Sequence, residues 1–166
     1  VLAVDPGLRI TGYGVLSTEG RGLKLEEAGV VRGGASGGLA QRVRAIHVGI
    51  SEVLDAYRPT VLALEELYSH YQRPRTAILM GHARGAVLLL AAQRGIAVKS
   101  LPATTIKKTM TGSGHASKPQ IQRAMMATLG LKQMPEPPDV ADALAIALCH
   151  LWTRRIEAVG RRDPDP

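Results

Sequence analysis

The 166 residues carry 21 Lys and Arg against 14 Asp and Glu, a formal charge of +7, with 45% hydrophobic content and no Phe. That hydrophobic fraction over that length supports one domain with a real core and excludes a disordered chain. The lone Cys149 excludes an internal disulfide and a cysteine zinc site and accords with a reducing cytoplasm, and the longest unbroken apolar run, residues 86–92, falls far short of the roughly 20 residues a membrane-spanning helix needs.

In chain order, VLAVD (1–5) reads as a buried strand and PGLR as the turn behind it. TGYGVLST (11–18) and LKLEEAGVVR (23–32) read as two further strands joined at Gly20 to Gly22, an antiparallel meander. After GGASGG (33–38), Leu39, Val43, Ile46, Ile50, Val53, Leu54 and Tyr57 recur at helical spacing until Arg58-Pro59 stops them, which predicts a helix over 39–57. TVLALE (60–65) is a fourth strand, 76–94 a long apolar helix and IAVKSL (96–101) a fifth strand. Helices follow at about 103–110, 119–129 and 138–157, and 158–166 is a polar tail. Strands alternating with helices after a meander predict a single α/β domain over 1–157. Its five-stranded sheet is mixed, three antiparallel strands and then two parallel ones reached through helical crossovers. In such sheets sites form beyond the carboxyl ends of the strands.

Two of these apolar runs finish on an acid. Asp5 ends the first strand before Pro6-Gly7, a position that also suits an ordinary turn-initiating Asp. Glu65, followed by Glu66, ends the fourth strand, which neighbours the first in the predicted topology. The helix over 138–157 adds Asp139 and Asp142, three residues apart on one face. Asp139 also suits an N-cap. Asp142 falls among the small apolar residues of VADALAIAL, where a bare carboxylate costs several kcal/mol or titrates to neutrality. Oxygen ligands without a Cys or His cluster suit a hard cation, Mg²⁺ or Mn²⁺, and two such ions about 4 Å apart can drive phosphodiester hydrolysis. The excess of positive charge attracts polyanions, nucleic acid first among them. Acids and charge together point to a metal-dependent nuclease.

The residues that carry this chemistry resemble the RuvC family of Holliday junction resolvases, of ribonuclease-H-like fold. The resemblance runs through DPGLRITGYGV (5–15), ALEELY (63–68), GHARGAVLLLAA (81–92), TIKKTMTGSGHASKPQIQ (105–122) and PDVADALAIALCH (138–150). It implies that Asp5, Glu65, Asp139 and Asp142 are the catalytic, metal-binding acids. It also implies that Lys107 and Lys118, with Lys108 beside them, meet DNA, and that Tyr68 stands where the family places an aromatic that probes the junction. Further implications are a homodimer that nicks opposite strands of a four-way junction symmetrically in recombination and repair, with RuvA and RuvB as branch-migration partners. The chain departs from the family at Leu8, where a small hydroxyl residue is common, and at Glu66, where Gln is frequent; some members carry His in place of Asp139.

Around these positions, YSHYQRPRT (68–76) interleaves Tyr68 with Arg73 and Arg75, the mixture on which bases stack and phosphates are neutralised, though an ordinary polar loop has the same composition. TGSGHASK (111–118) places His115 in a Gly-rich loop as a DNA-proximal or solvated residue and brings Lys118 to the start of a helix opened by Pro119. Gly81, Ala83, Gly85 and Ala86 allow close approach to the apolar helix, with Ile78, Leu79, Val87 and Leu90 as packing mass; Met110, Met125, Met126 and Met134 read as core filler. The competing readings are an RNA-directed nuclease of the same fold, a junction-binding module without catalysis, and a sugar-kinase or actin-like ATPase, for which the chain lacks a second domain.

Overall fold

Along β1 (Leu2–Asp5) the side chains alternate between two cores. Leu2 and Val4 enter one and Ala3 the other, and Leu62, Leu64 and Ala63 repeat the division on β4 (Val61–Glu65). A strand buried on both faces must be central, and the sheet order is β3-β2-β1-β4-β5. β2 (Ile10–Glu19) and β3 (Gly22–Arg32) form the antiparallel meander with β1, their register shifting between Val15 and Leu16. β4 and β5 (Ala97–Leu101) add in parallel. The computed structural model describes residues 1–20, 22–34, 37–67 and 74–160.

On the Leu2 and Val4 face lie α1 (Leu39–Tyr57), with Ile46, Ile50 and Leu54 buried, and α2 (Pro74–Gln93), with Val87 and Leu90 buried. α1 stops where Arg58 takes a left-handed conformation, φ 44°, and donates its amide to the Leu54 carbonyl at 2.9 Å; Pro59 then forbids another turn. On the Ala3 face lie α3 (Ala103–Thr111), α4 (Lys118–Leu129) and α5 (Pro138–Gly160), sharing a core with Met110 and Met125.

The predicted elements all form, most with bounds moved by a residue, and three of the shifts are informative. α2 begins at Pro74 rather than 76, since proline suits the first turn of a helix. α4 begins at Lys118, capped by Ser117 in a capping box with Gln120, so Lys118 is the first helical residue. α5 runs to Gly160, three residues into the expected tail. Over its whole length, Arg75–Gln93 is long and apolar enough to cross a membrane by length and composition, a property that the unbroken-run reading missed. Only 28% of that stretch is buried. Ile78 (63% exposed) and Leu79, expected as packing mass, lie open, while Val87 and Leu90 are wholly inside.

Candidate active site

Strand alternation aims the acids of β1 and β4 at α5. Asp5 shares the face of Ala3 and Glu65 that of Ala63, and both alanines pack in the α5 core. β1 and β4 run in parallel register with Val4 beside Leu64, so the two carboxylates leave adjacent strand ends at one level. α5 brings the other two: Asp139 sits in its first turn, inside a helix that opens at Pro138 rather than capping it, and Asp142 lies three residues on. The helix approaches this closely because side chains are missing beneath it. A Cβ on Gly12 would stand 2.0 Å from the Asp139 carbonyl oxygen, and one on Gly14 would stand 2.6 Å from Leu144 Cδ2. Gly12 is also the register partner of Asp5. Behind Asp5 the buried Thr11 pins the turn, donating its hydroxyl to the Gly7 carbonyl at 2.8 Å and accepting the Gly7 amide at 3.3 Å.

The electrostatics follow from this convergence. Burial pushes the Asp5 carboxyl up to about 7, and the neighbouring Asp142, Glu65 and Asp139 carboxylates push it the same way, with Lys118 opposing. Glu65 is also raised, first by burial and then by Asp142, against Lys107 and Lys118. Lys118 donates from Nζ to Asp142 Oδ2 at 2.6 Å. Burial works against the charge of that ammonium, but the bond to Asp142 and the fields of Asp142, Asp139 and Asp5 outweigh it and hold its pKa above the ordinary value. Asp142 is therefore not the bare buried acid that its apolar neighbours predicted: its side chain is 30% exposed and ion-paired. Asp5, half-buried at the end of β1, forms no ion pair among the described residues. The donors are all carboxylate oxygens, and a hard divalent cation is the partner such a set fits. Among the described residues no three acidic, imidazole or thiol side chains are drawn together tightly enough to hold one ion. The cation bonded to one of the four acids is Lys118.

The structure thus gathers Asp5, Glu65, Asp139, Asp142, Lys107 and Lys118 at the carboxyl ends of β1 and β4. Lys107 is half-buried on α3, and its charge acts on Glu65. Lys108, in the last turn of α3, His115 and Arg75 are exposed and form no ion pair among the described residues. Tyr68 and Arg73 lie outside the described residues. Two contributors were not read from the sequence. The glycines of TGYG seat α5; glycines at alternate positions of a strand signal close approach of another backbone. Arg84 donates to the Glu65 carbonyl oxygen, a contact that no spacing rule announces.

The family model for crossover junction endodeoxyribonuclease RuvC matches residues 1–150. A crossover junction endodeoxyribonuclease RuvC of Rhodopirellula baltica is 54% identical over 149 residues, covering 90% of this chain and 84% of that one. Thermus thermophilus RuvC has a similar structure, with TM-score 0.85 at 34% identity over 95% of this chain and 97% of that one. T. thermophilus RuvC in complex with a Holliday junction substrate gives TM-score 0.86 at 34% identity, covering 94% and 96%.

Proposed function

The chain belongs to the RuvC family of crossover junction endodeoxyribonucleases, and from that premise we propose that Asp5, Glu65, Asp139 and Asp142 are its catalytic acids. As a member of the family it is a metal-dependent hydrolase that binds and resolves four-way DNA junctions in recombination and repair. The observation that carries the assignment of the acids is Asp5, half-buried at a strand end among three other carboxylates and pushed up to about 7. Such a group is unstable as four bare anions and suits divalent cations.

The proposed ions are Mg²⁺, with Mn²⁺ able to replace it, held by the four acids. When bound they supply the charge that stabilises attacking and leaving oxygens in phosphodiester hydrolysis. The protein's own groups do the remainder. Lys118 holds Asp142 and brings a fixed positive charge to the first turn of α4, where phosphate oxygens also find backbone amides. Lys107 steadies the charged form of Glu65 and offers a second phosphate contact. Lys108, His115 and Arg75 extend the DNA surface, and Arg73 and Tyr68, outside the described residues, are proposed as further DNA contacts on the sequence alone. The domain is proposed to work as a homodimer, in the cytoplasm, receiving junctions from RuvA and RuvB. The dimer is supported by α2, which is apolar along its length yet open on one side.

Cleavage of a synthetic mobile junction, a linear duplex and an RNA-DNA hybrid, each with Mg²⁺, Mn²⁺ or chelator, tests the reading. Paired metal-dependent nicks confined to the junction, and lost in Asp5→Asn while binding persists, are the expected result. Equal cleavage by Asp5→Asn would remove Asp5 from the centre, and preference for the hybrid would move the substrate to RNA.

A further inference from the structure

The open side of α2 carries Ile78, His82, Gly85 and Leu89, spaced to fall on one stripe. Ile78 and Leu89 are 63% and 52% exposed, and a Cβ on Gly85 would meet nothing within 4 Å. The opposite side, with Ala83, Val87, Leu90 and Ala91, is wholly inside. Arg84 stands between the two. Its guanidinium reaches away from the stripe to the sheet, Nη1 donating to the Glu65 main-chain oxygen and Nη2 to Ser100 Oγ at 2.8 Å. One planar fork thereby ties α2 to the last residue of β4 and to β5. The two strands are locked at the same level by the Glu66 amide, which donates to the Leu101 carbonyl at 2.9 Å. Past this point Glu66 and Leu67 leave the strand, so among the described residues before α2 no further strand pairing holds β4's end.

We infer that Arg84 is a positioning residue. From the helix whose outer stripe receives a second copy of the chain, it fixes the carboxyl end of β4 and so sets the reach of the Glu65 carboxylate. The inference rests on the proposed role of Glu65 and on the proposed dimer. Lysine at this position keeps the charge but offers one point of attachment where two acceptors on different strands must be met, and methionine keeps only the stem.

The experiment compares the full chain with its R84K and R84M forms by amide exchange and mass spectrometry, single-turnover junction cleavage, and junction binding in chelator. In R84M, exchange around Glu66 should quicken by about tenfold or more while the β2 and β3 amides stay as in the parent, showing a local and not a global loosening. Cleavage should fall by at least about tenfold with junction Kd within about twofold, and R84K should lie between. Unchanged exchange at Glu66, or unchanged cleavage despite faster exchange, would overturn the inference. So would a loss of β2 and β3 protection in both variants, which would make Arg84 a general stabiliser. Exchange reads the main chain whether or not the parent cuts, so a parent that fails to cleave any junction would overturn the nuclease reading and leave Arg84's hold on β4 to be decided by exchange.

Discussion

Asp5 is where the cost of the site is concentrated, because burial and three neighbouring carboxylates push its carboxyl up together and Lys118, which opposes them, is bonded to another acid. A rise from 3.8 to about 7 corresponds to a penalty on the order of 4 kcal/mol once the group is ionised. Asparagine keeps the shape and the polar desolvation but not the charge. Asp5→Asn should therefore abolish cleavage yet stabilise the metal-free protein above neutral pH, by about 1–3 kcal/mol. The sign with pH is fixed by linkage. A folded-state pKa above the unfolded one means the folded form holds the extra proton between 3.8 and about 7. Wild-type stability should thus decline relative to the variant as pH rises through that window and be level with it below. Melting curves of both proteins in chelator at several pH values measure this, and parallel curves would show that Asp5 carries no such burden. Lys107 is a separate case at the same scale: if it neutralises one phosphate, Lys107→Ala should lower the salt slope of junction binding by about one. An unchanged slope would place it off the DNA backbone.

The element that makes the site is α5, and its placement is decided by what the sheet omits. Ala3, Ala63, Gly12 and Gly14 present almost no side chain to it, so its first turn sits against β2 and two of the four acids arrive within the field of Asp5. Gly12→Ala forces a Cβ to within 2.0 Å of the Asp139 carbonyl oxygen, and helix or strand must yield. The expected cost is about 1–3 kcal/mol in stability, and a larger proportional loss in cleavage, because small displacements are felt steeply at a reacting centre. Denaturant melts beside single-turnover rates would separate the two; a wild-type rate in a folded Gly12→Ala protein would show that α5 can shift without penalty. Most of this fold was legible because the elements carry period-two or helical apolar patterns, and α1 keeps its predicted bounds, 39 and 57. The acids were legible as strand ends and a helix face. Three features were not. Lys118's bond to Asp142 joins residues 24 apart and depends on how α4 meets α5. The exposure of Ile78 depends on which side of an apolar helix the sheet takes, and sequence periodicity cannot choose when every side is apolar. Arg84 is one of many arginines until its partner, a main-chain oxygen, has been placed.

At the scale of the whole molecule, the charge suits a polyanion and the open stripe of α2 suits the proposed second copy of the chain. A four-way junction has two strands to cut in related positions, and a two-fold protein dimer presents two identical centres with matching symmetry, which a monomer cannot do. The proposed interface is the Ile78 and Leu89 stripe, since an apolar helix left 28% buried exposes more hydrocarbon than a lone domain keeps in water without reason. Leu89→Glu is the discriminating change. Leu89 is half-exposed in the single chain, so a carboxylate there costs the fold little, within about 0.5 kcal/mol. In a dimer it would be buried unpaired near its symmetry mate, and like charges brought out of water cost several kcal/mol. Leu89→Glu should therefore melt like the parent, sediment as a monomer at concentrations where the parent is dimeric, and lose paired cleavage of the junction. Single uncoordinated nicks would be what remains, because each chain keeps its own four acids. A Leu89→Glu protein that stays dimeric and cuts both strands together would put the interface elsewhere, and a parent that sediments as a monomer on the junction would remove the need for one.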